Sequence, residues 1–322
     1  MKYWISVLAG AMSYGILSTI VVLSYGEGYQ LGEIVGAQLL VGFIFSWLTA
    51  IYTKRKELRE KRKQSISFDA ATTYHRLTWK QRILLMLAGT PTVVTGLLYY
   101  QSLQYIPASL AIILLFQFTW ISSVIHAVSN RQRPNKIMLL TLFVLFIGTL
   151  LAAGLNGQAA ANINRMGLIF GLLSAVSYSM FLLFSGKAVP SAHPAYRSAW
   201  MVTGGFILLI VLFPPHFLFN GMLGGPLLIY GLLLGLFGAF IPPLLFAIGI
   251  PHIGEAMGGI LGAAELPVAV LLSSIVLHES VGMVQWFGVA LILVGVTLPE
   301  MYKIGKRKRG YYQNSRSLQA KN

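Results

Sequence analysis

From Tyr3 to Gly26 the chain runs for 24 residues without a charged side chain. An α-helix rises 1.5 Å per residue, so about 20 apolar residues cross a hydrocarbon core roughly 30 Å thick. Similar runs recur to the end of the sequence, separated by short polar breaks. Lipid cannot hydrogen-bond a peptide group, and helices satisfy their backbone internally. Charge is correspondingly scarce: 10% of the 322 residues carry it, against about 25% in soluble domains. These features predict an all-α polytopic membrane protein. The opening run is longer than the apolar core of a signal peptide and lacks a small-residue cleavage site, so it reads as an uncleaved first helix.

Ten spans are expected, near 4–24, 32–53, 82–103, 107–128, 135–154, 166–187, 197–218, 226–248, 254–276 and 282–300. The distribution of basic residues tests that count, because Lys and Arg collect in cytoplasmic loops. With the N-terminus inside, 23 of the 24 Lys and Arg fall on the cytoplasmic side and only Arg165 falls outside. A missed or invented helix would invert every later loop and spoil the sorting. The net charge of +15 is therefore a topology signal, not a nucleic-acid footprint, since the cations lie between apolar runs without interleaved aromatics. The dense run from Lys54 to Arg82 is read as a cytoplasmic loop that sets orientation.

Two phrases repeat. "AMSYG" at Ala11–Gly15 returns as "AVSYS" at Ala175–Ser179, a shift of 164. "IPASLAIILLFQFTW" from Ile106 matches "IGEAMGGILGAAELP" from Ile253 at a shift of 147, which also carries Gly148 onto Gly295. The 17-residue difference is absorbed by the basic loop after the second span, since loops take insertions and spanning helices do not. The expected organisation is a first five-helix repeat at 1–154 with its basic loop at 54–82, a second at 155–302, and a basic tail at 303–322. Five is odd, so the second copy lies inverted.

Inverted repeats and short loops are features of secondary transporters. The sequence also resembles the EamA-like ten-helix branch of the drug/metabolite transporter superfamily. "LAGAMSYG" and "LLSAVSYS" open the halves, and "AMGGILGAAELPVAVLLSSIVLHESVGMVQWFGVALILVGVTL" closes the chain. The closing pattern comprises Pro267, Glu279 at the outer turn, Gly288 and Gly295. In the first half Trp120 stands at the counterpart of Pro267 and Gln132 at that of Glu279. The related four-helix multidrug-resistance pumps carry a carboxylate in their first helix, where this chain has none. The resemblance implies metabolite or drug efflux, and any proton exchange must use another carboxylate.

Of nine acidic residues, only Glu265 falls deep in a span. A charged carboxylate there costs several kcal/mol, about 2.5 or more, unless it is paired, protonated or wetted by a cavity. Such a group can trade a proton for a cationic solute. Gly258, Gly262, Glu265, Ala269 and Ser273 share one helix face, which suits either close helix packing or a cavity wall. Pro267 removes a backbone donor and deprives the Ala263 carbonyl of its helical partner, a break tolerated where it is buried or lines water. Glu255 marks the inner entry of the same span. Gln117 and Trp120, one turn apart, and the repeat-related Tyr14 and Tyr178 complete the candidate substrate or proton site. Pro91, flanked by Thr90, Thr92 and Thr95, and the pair Pro242–Pro243 are expected to kink the third and eighth spans.

The absence of Cys excludes thiol chemistry and thiolate metal sites. The histidines are scattered, no metal-ligand spacing appears, and nothing suggests a catalytic triad. The expected protein is not an enzyme and calls for no cofactor. Its expected partners are a small-molecule substrate, protons and the bilayer of the cell membrane, with a homodimer as an admissible assembly and no nucleic acid. A flippase for a lipid-linked substrate stays open as an alternative, although no Lys or Arg is read deep in any span. A membrane-embedded enzyme and a scaffold are the alternatives from other classes.

Overall fold

The computed structural model describes residues 2–63, 77–129, 136–153, 164–185, 188–189, 192–242, 245, 249, 252–253, 261–298 and 301. Among them the regular structure is entirely helical. The α-helices are α1 (Lys2–Gly15), α2 (Leu17–Gly26), α3 (Leu31–Lys63), α4 (Trp79–Ser102), α5 (Ala108–Leu115), α6 (Phe118–Ser129), α7 (Lys136–Ala152), α8 (Arg165–Ser185), α9 (Pro194–Leu212), α10 (Pro226–Leu234), α11 (Glu265–Val276) and α12 (Met283–Leu298). Among the described residues, four stretches are apolar and long enough to cross a membrane: Lys2–Gly26, Leu31–Lys56, Trp79–Ser102 and Ala195–Leu212. Shorter apolar helices make up the rest of the bundle.

Several elements differ from the sequence expectation. The basic segment after residue 53 is not a loop from its start, because α3 continues to Lys63. "KRKELREKRK" consists of strong helix formers, which carry the helix on beyond the apolar run. Helix α4 begins with a capping box in which the Thr78 hydroxyl accepts from Gln81 N–H and the Gln81 side chain accepts from Thr78 N–H. It then continues through Pro91 without a break in its helical assignment. The Leu87 carbonyl, which a proline at 91 leaves without its helical donor, accepts from the Thr90 hydroxyl at 2.8 Å. Helix α9 starts at Pro194, with His193 Nδ1 accepting from Ala195 N–H, and ends before Pro214 and Pro215.

Helix α4 packs against α8 and α9, while α9 and α10 both pack on α3, and α11 packs on α1, α2 and α5. The α4–α9 crossing is close because Gly89 faces the backbone of Met201 and Gly204 faces that of Met86, leaving no room for a Cβ at either position. Side chains such as Leu97, Ile112, Leu234, Leu266 and Val270 fill the core. The outer faces are apolar too, with Phe143, Phe146, Val211, Ile229, Ile275 and Phe287 all exposed. That inside-and-outside apolarity is what a lipid-facing bundle requires.

Candidate functional site

Three helix breaks and one widened turn meet near the middle of the bundle. Helices α1 and α2 are separated by Ile16 alone, whose N–H bonds the Ser13 carbonyl at 3.3 Å. Helices α5 and α6 are separated by Phe116 and Gln117. After α10 the backbone forms a π turn over Gly235–Phe240, and Pro242 lies buried just beyond it. Residues Ala263 and Ala264 form a turn before α11, so Glu265 is the first residue of that helix. The Ala263 carbonyl does lose the partner that Pro267 cannot supply, but it accepts from Leu266 N–H at 3.2 Å instead.

The breaks lock together. A Cβ on Gly15 would stand 2.7 Å from the Glu265 carbonyl and 2.8 Å from Val268 Cβ. The end of α1 therefore docks directly on the first turn of α11, and only glycine permits it. The Ser13 hydroxyl donates to the Phe237 carbonyl at 2.8 Å, tying α1 to the π turn. Across the bundle, the Ser177 and Thr95 hydroxyls both donate to the Pro91 carbonyl, at 2.9 and 2.7 Å.

Between these elements lies a cavity of about 400 Å³ whose wall includes Tyr14, Tyr178 and Glu265. Three of the residues singled out by sequence thus share one space. Tyr178 meets Phe118 edge to face at 4.6 Å and stacks near Phe181 at 5.9 Å. Gln117 and Trp120 are not on this wall. Gln117 is buried, and its amide donates to the Ile113 carbonyl and to Thr149 Oγ1, both at 2.8 Å, while Trp120 Nε1 donates to Gln117 Oε1 at 2.8 Å. The pair closes the α5–α6 break and fastens it to α7. Pro243 and Glu255 lie outside the described residues.

Sequence reasoning passed over Tyr99, Tyr100, Gln38 and Arg197, which also line the cavity. Gln38 could have been found by the argument applied to Gln117, an amide in the middle of an apolar run. Arg197, expected as the first residue of the seventh span, lies within the first turns of α9, on the cavity wall. The wall reaches Arg197 and Ser198 toward the start of α9 and ends at the buried Tyr99 and Tyr100 toward the end of α4.

The EamA-like transporter family model matches residues 1–154 and 165–299. This chain belongs to the EamA-like transporter family. It is a membrane protein of a transporter family. It is 24% identical over 211 residues to an uncharacterized transporter of Synechocystis sp., a match covering 64% of this chain and 63% of that protein. It thus spans somewhat less than two thirds of that relative's length. An uncharacterized inner membrane transporter of Salmonella typhimurium is 25% identical over 219 residues, covering 67% of this chain and 71% of that one. A transporter of Bacillus subtilis, also uncharacterized, is 21% identical over 240 residues, with coverage of 74% and 76%. One solved protein structure superposes with a TM-score of 0.59 at 14% identity, covering 92% of this chain and 96% of the other, a likeness of fold.

The Gln117 contacts carry a prediction for this EamA-like protein. Gln117→Leu strands the Trp120 N–H at the α5–α6 break, at a cost of about 1–3 kcal/mol. The purified variant should melt several degrees below wild type in a detergent thermal scan. An unchanged melting temperature would contradict the clamp.

Proposed function

We propose that this family member is a secondary active transporter of the cytoplasmic membrane that exports a small organic metabolite or drug by alternating access, in exchange for protons. The observation that carries this reading is Glu265 on the wall of a cavity otherwise rich in tyrosine and phenylalanine rings. A volume near 400 Å³ lies in the range of small-molecule sites, about 300–1,000 Å³. The carboxylate pairs with a cationic nitrogen, and the ring faces hold the adjoining lipophilic body by cation–π attraction. The solute's positive charge displaces the proton from Glu265. When the solute leaves on the other side, the carboxyl is reprotonated there. Tyr14 and Tyr178 flank the solute from α1 and α8. Pro267 and Pro242 serve as helix breaks beside the site, Pro91 holds the Thr95 and Ser177 hydroxyls, and Glu255 and Pro243 stay assigned to entry and hinge from sequence.

In this reading α1–α2 and α5–α6 are each one interrupted span, α10 and its π turn are another, and the chain makes ten spans. These form two inverted five-helix repeats, 1–154 and 155–302, with both termini cytoplasmic. Tyr14 and Tyr178, repeat-related in sequence, share the cavity wall, which supports the arrangement. Arg197 on the same wall favours a second reading, movement of a lipid-linked phosphate, because guanidinium matches phosphate geometry.

Orientation is testable in this Cys-free chain. Cysteines replacing Ser65 or Ser315 should resist an impermeant thiol reagent in intact cells, and one replacing Ala160 should react. Labelling of the first two from outside would overturn the topology. For the mechanism, Glu265→Gln keeps the side-chain shape and mimics the protonated form. In vesicles under an imposed pH gradient it should insert normally, lose proton-driven flux of a lipophilic cation and lose the pH dependence of binding. Wild-type flux in that variant would reduce Glu265 to packing. Loss of flux in Arg197→Gln alone, with a phosphate-bearing substrate, would favour the second reading.

A further inference from the structure

Glu279 is off the cavity wall and outside any helix, three residues beyond the end of α11. Its neighbour His278 adopts a left-handed φ of 56°, which turns the chain sharply after the helix. The Glu279 N–H bonds back to the Ser273 carbonyl at 3.1 Å. Its carboxylate then reaches a helix 170 positions away: Oε1 accepts from Ala108 N–H at 2.6 Å and Oε2 from Ser109 N–H at 3.1 Å.

Those donors belong to the first turn of α5, whose preceding residue, Pro107, offers no capping side chain. An uncapped first turn has open N–H groups and the positive end of the helix dipole, and a carboxylate answers both with charge-assisted bonds. The contact joins two parts of the cavity wall. Helix α5 carries Ile112 and Leu115, and α11 carries Glu265. At the same end of the bundle the Tyr25 hydroxyl donates to the Tyr100 carbonyl at 3.0 Å, and Tyr99, Tyr100, Leu103 and Ile106 are buried. That is the end at which the cavity stops.

We propose that Glu279 is the latch of this closed end: its grip on the first turn of α5 holds α5 against α11, and it releases when the cavity opens on that side. Glu279 is a positioning residue that never touches the solute. The inference rests on the transport reading above and adds where that motion is held. A latch differs from a static cap in one respect. Removing a static cap lowers stability alone, whereas removing a latch also exposes the cavity from the face that bears Glu279.

The experiment uses Leu17→Cys, a cavity-wall position, in the full Cys-free chain reconstituted in vesicles. An impermeant thiol reagent is applied to each face in turn. In the otherwise wild-type protein the cysteine should react from the Arg197 face and slowly from the Glu279 face. Glu279→Gln should speed labelling from the Glu279 face about tenfold, the change expected on losing one charge-assisted bond. Ala108→Pro should do the same from the other partner, since it replaces the N–H donor with a ring carbon. Proline suits the first helical position, and the extended Pro107, with ψ of 148°, tolerates a following proline. Glu27→Gln, an exposed change off the latch, should alter nothing. One folded latch variant suffices, with folding checked by a thermal scan. Labelling from the Arg197 face with no gain at the Glu279 face in a folded variant would overturn the latch alone. No labelling from either face in any background would overturn the transport reading and the latch with it.

Discussion

A peptide N–H or C=O left open in hydrocarbon costs several kcal/mol, about 2–7 depending on the reference state. Every break in a membrane helix must therefore be covered by protein or face water. In this structure the interruptions at Ile16, Phe116–Gln117, Gly235–Phe240 and Ala263–Ala264 are gathered around one cavity. Tyr14, Phe118, Ala239 and Glu265, each within two residues of an interruption or inside one, all stand on its wall. Each break is also repaired by named partners. Ser13 reaches the π turn, Gln117 and Trp120 bridge their own break, and Leu266 turns back on Ala263. The repairs localise irregular backbone at the place where a solute would need polar groups in mid-membrane.

The same constraint explains how the wall elements can be both fixed and separable. Gly15 brings α1 onto the backbone of Glu265 with no side chain between them, so α1 and the helix that carries the carboxylate meet directly. At the far end the apolar packing of α5 on α11 is supplemented by one carboxylate on two backbone donors. In the transport reading proposed above, that polar tie is the contact that opens.

Much of this was legible in the sequence. The apolar runs and the sorted cations pointed to a helical membrane bundle, and Glu265, Tyr14 and Tyr178 stood out by depth and repetition. What was not legible depends on orientation around a helix or on where a helix ends. Gln117 and Trp120 had the right depth, but their side chains turn toward α7 and each other. Arg197 reads as the first residue of its span because hydropathy rises only after it, whereas the His193 cap and Pro194 start α9 earlier and carry it onto the cavity wall. That the helix runs on through Pro91 was not legible either, because it depends on the Thr90 hydroxyl answering the carbonyl that proline strands. The π turn has no sequence signature beyond two glycines and a proline.

The central claim is that Glu265 gives up its proton to the arriving solute. Proton release on binding measures this without a membrane or a gradient. Purified protein in weakly buffered detergent solution, with a pH-indicator dye, is titrated with a lipophilic cation that raises its melting temperature. The account predicts release of up to about one proton per solute bound at a pH where the carboxyl starts protonated, and none from Glu265→Gln, whose amide has no proton to yield. Equal release from both proteins, or binding by the wild type with no release at any pH between about 5 and 9, would contradict it.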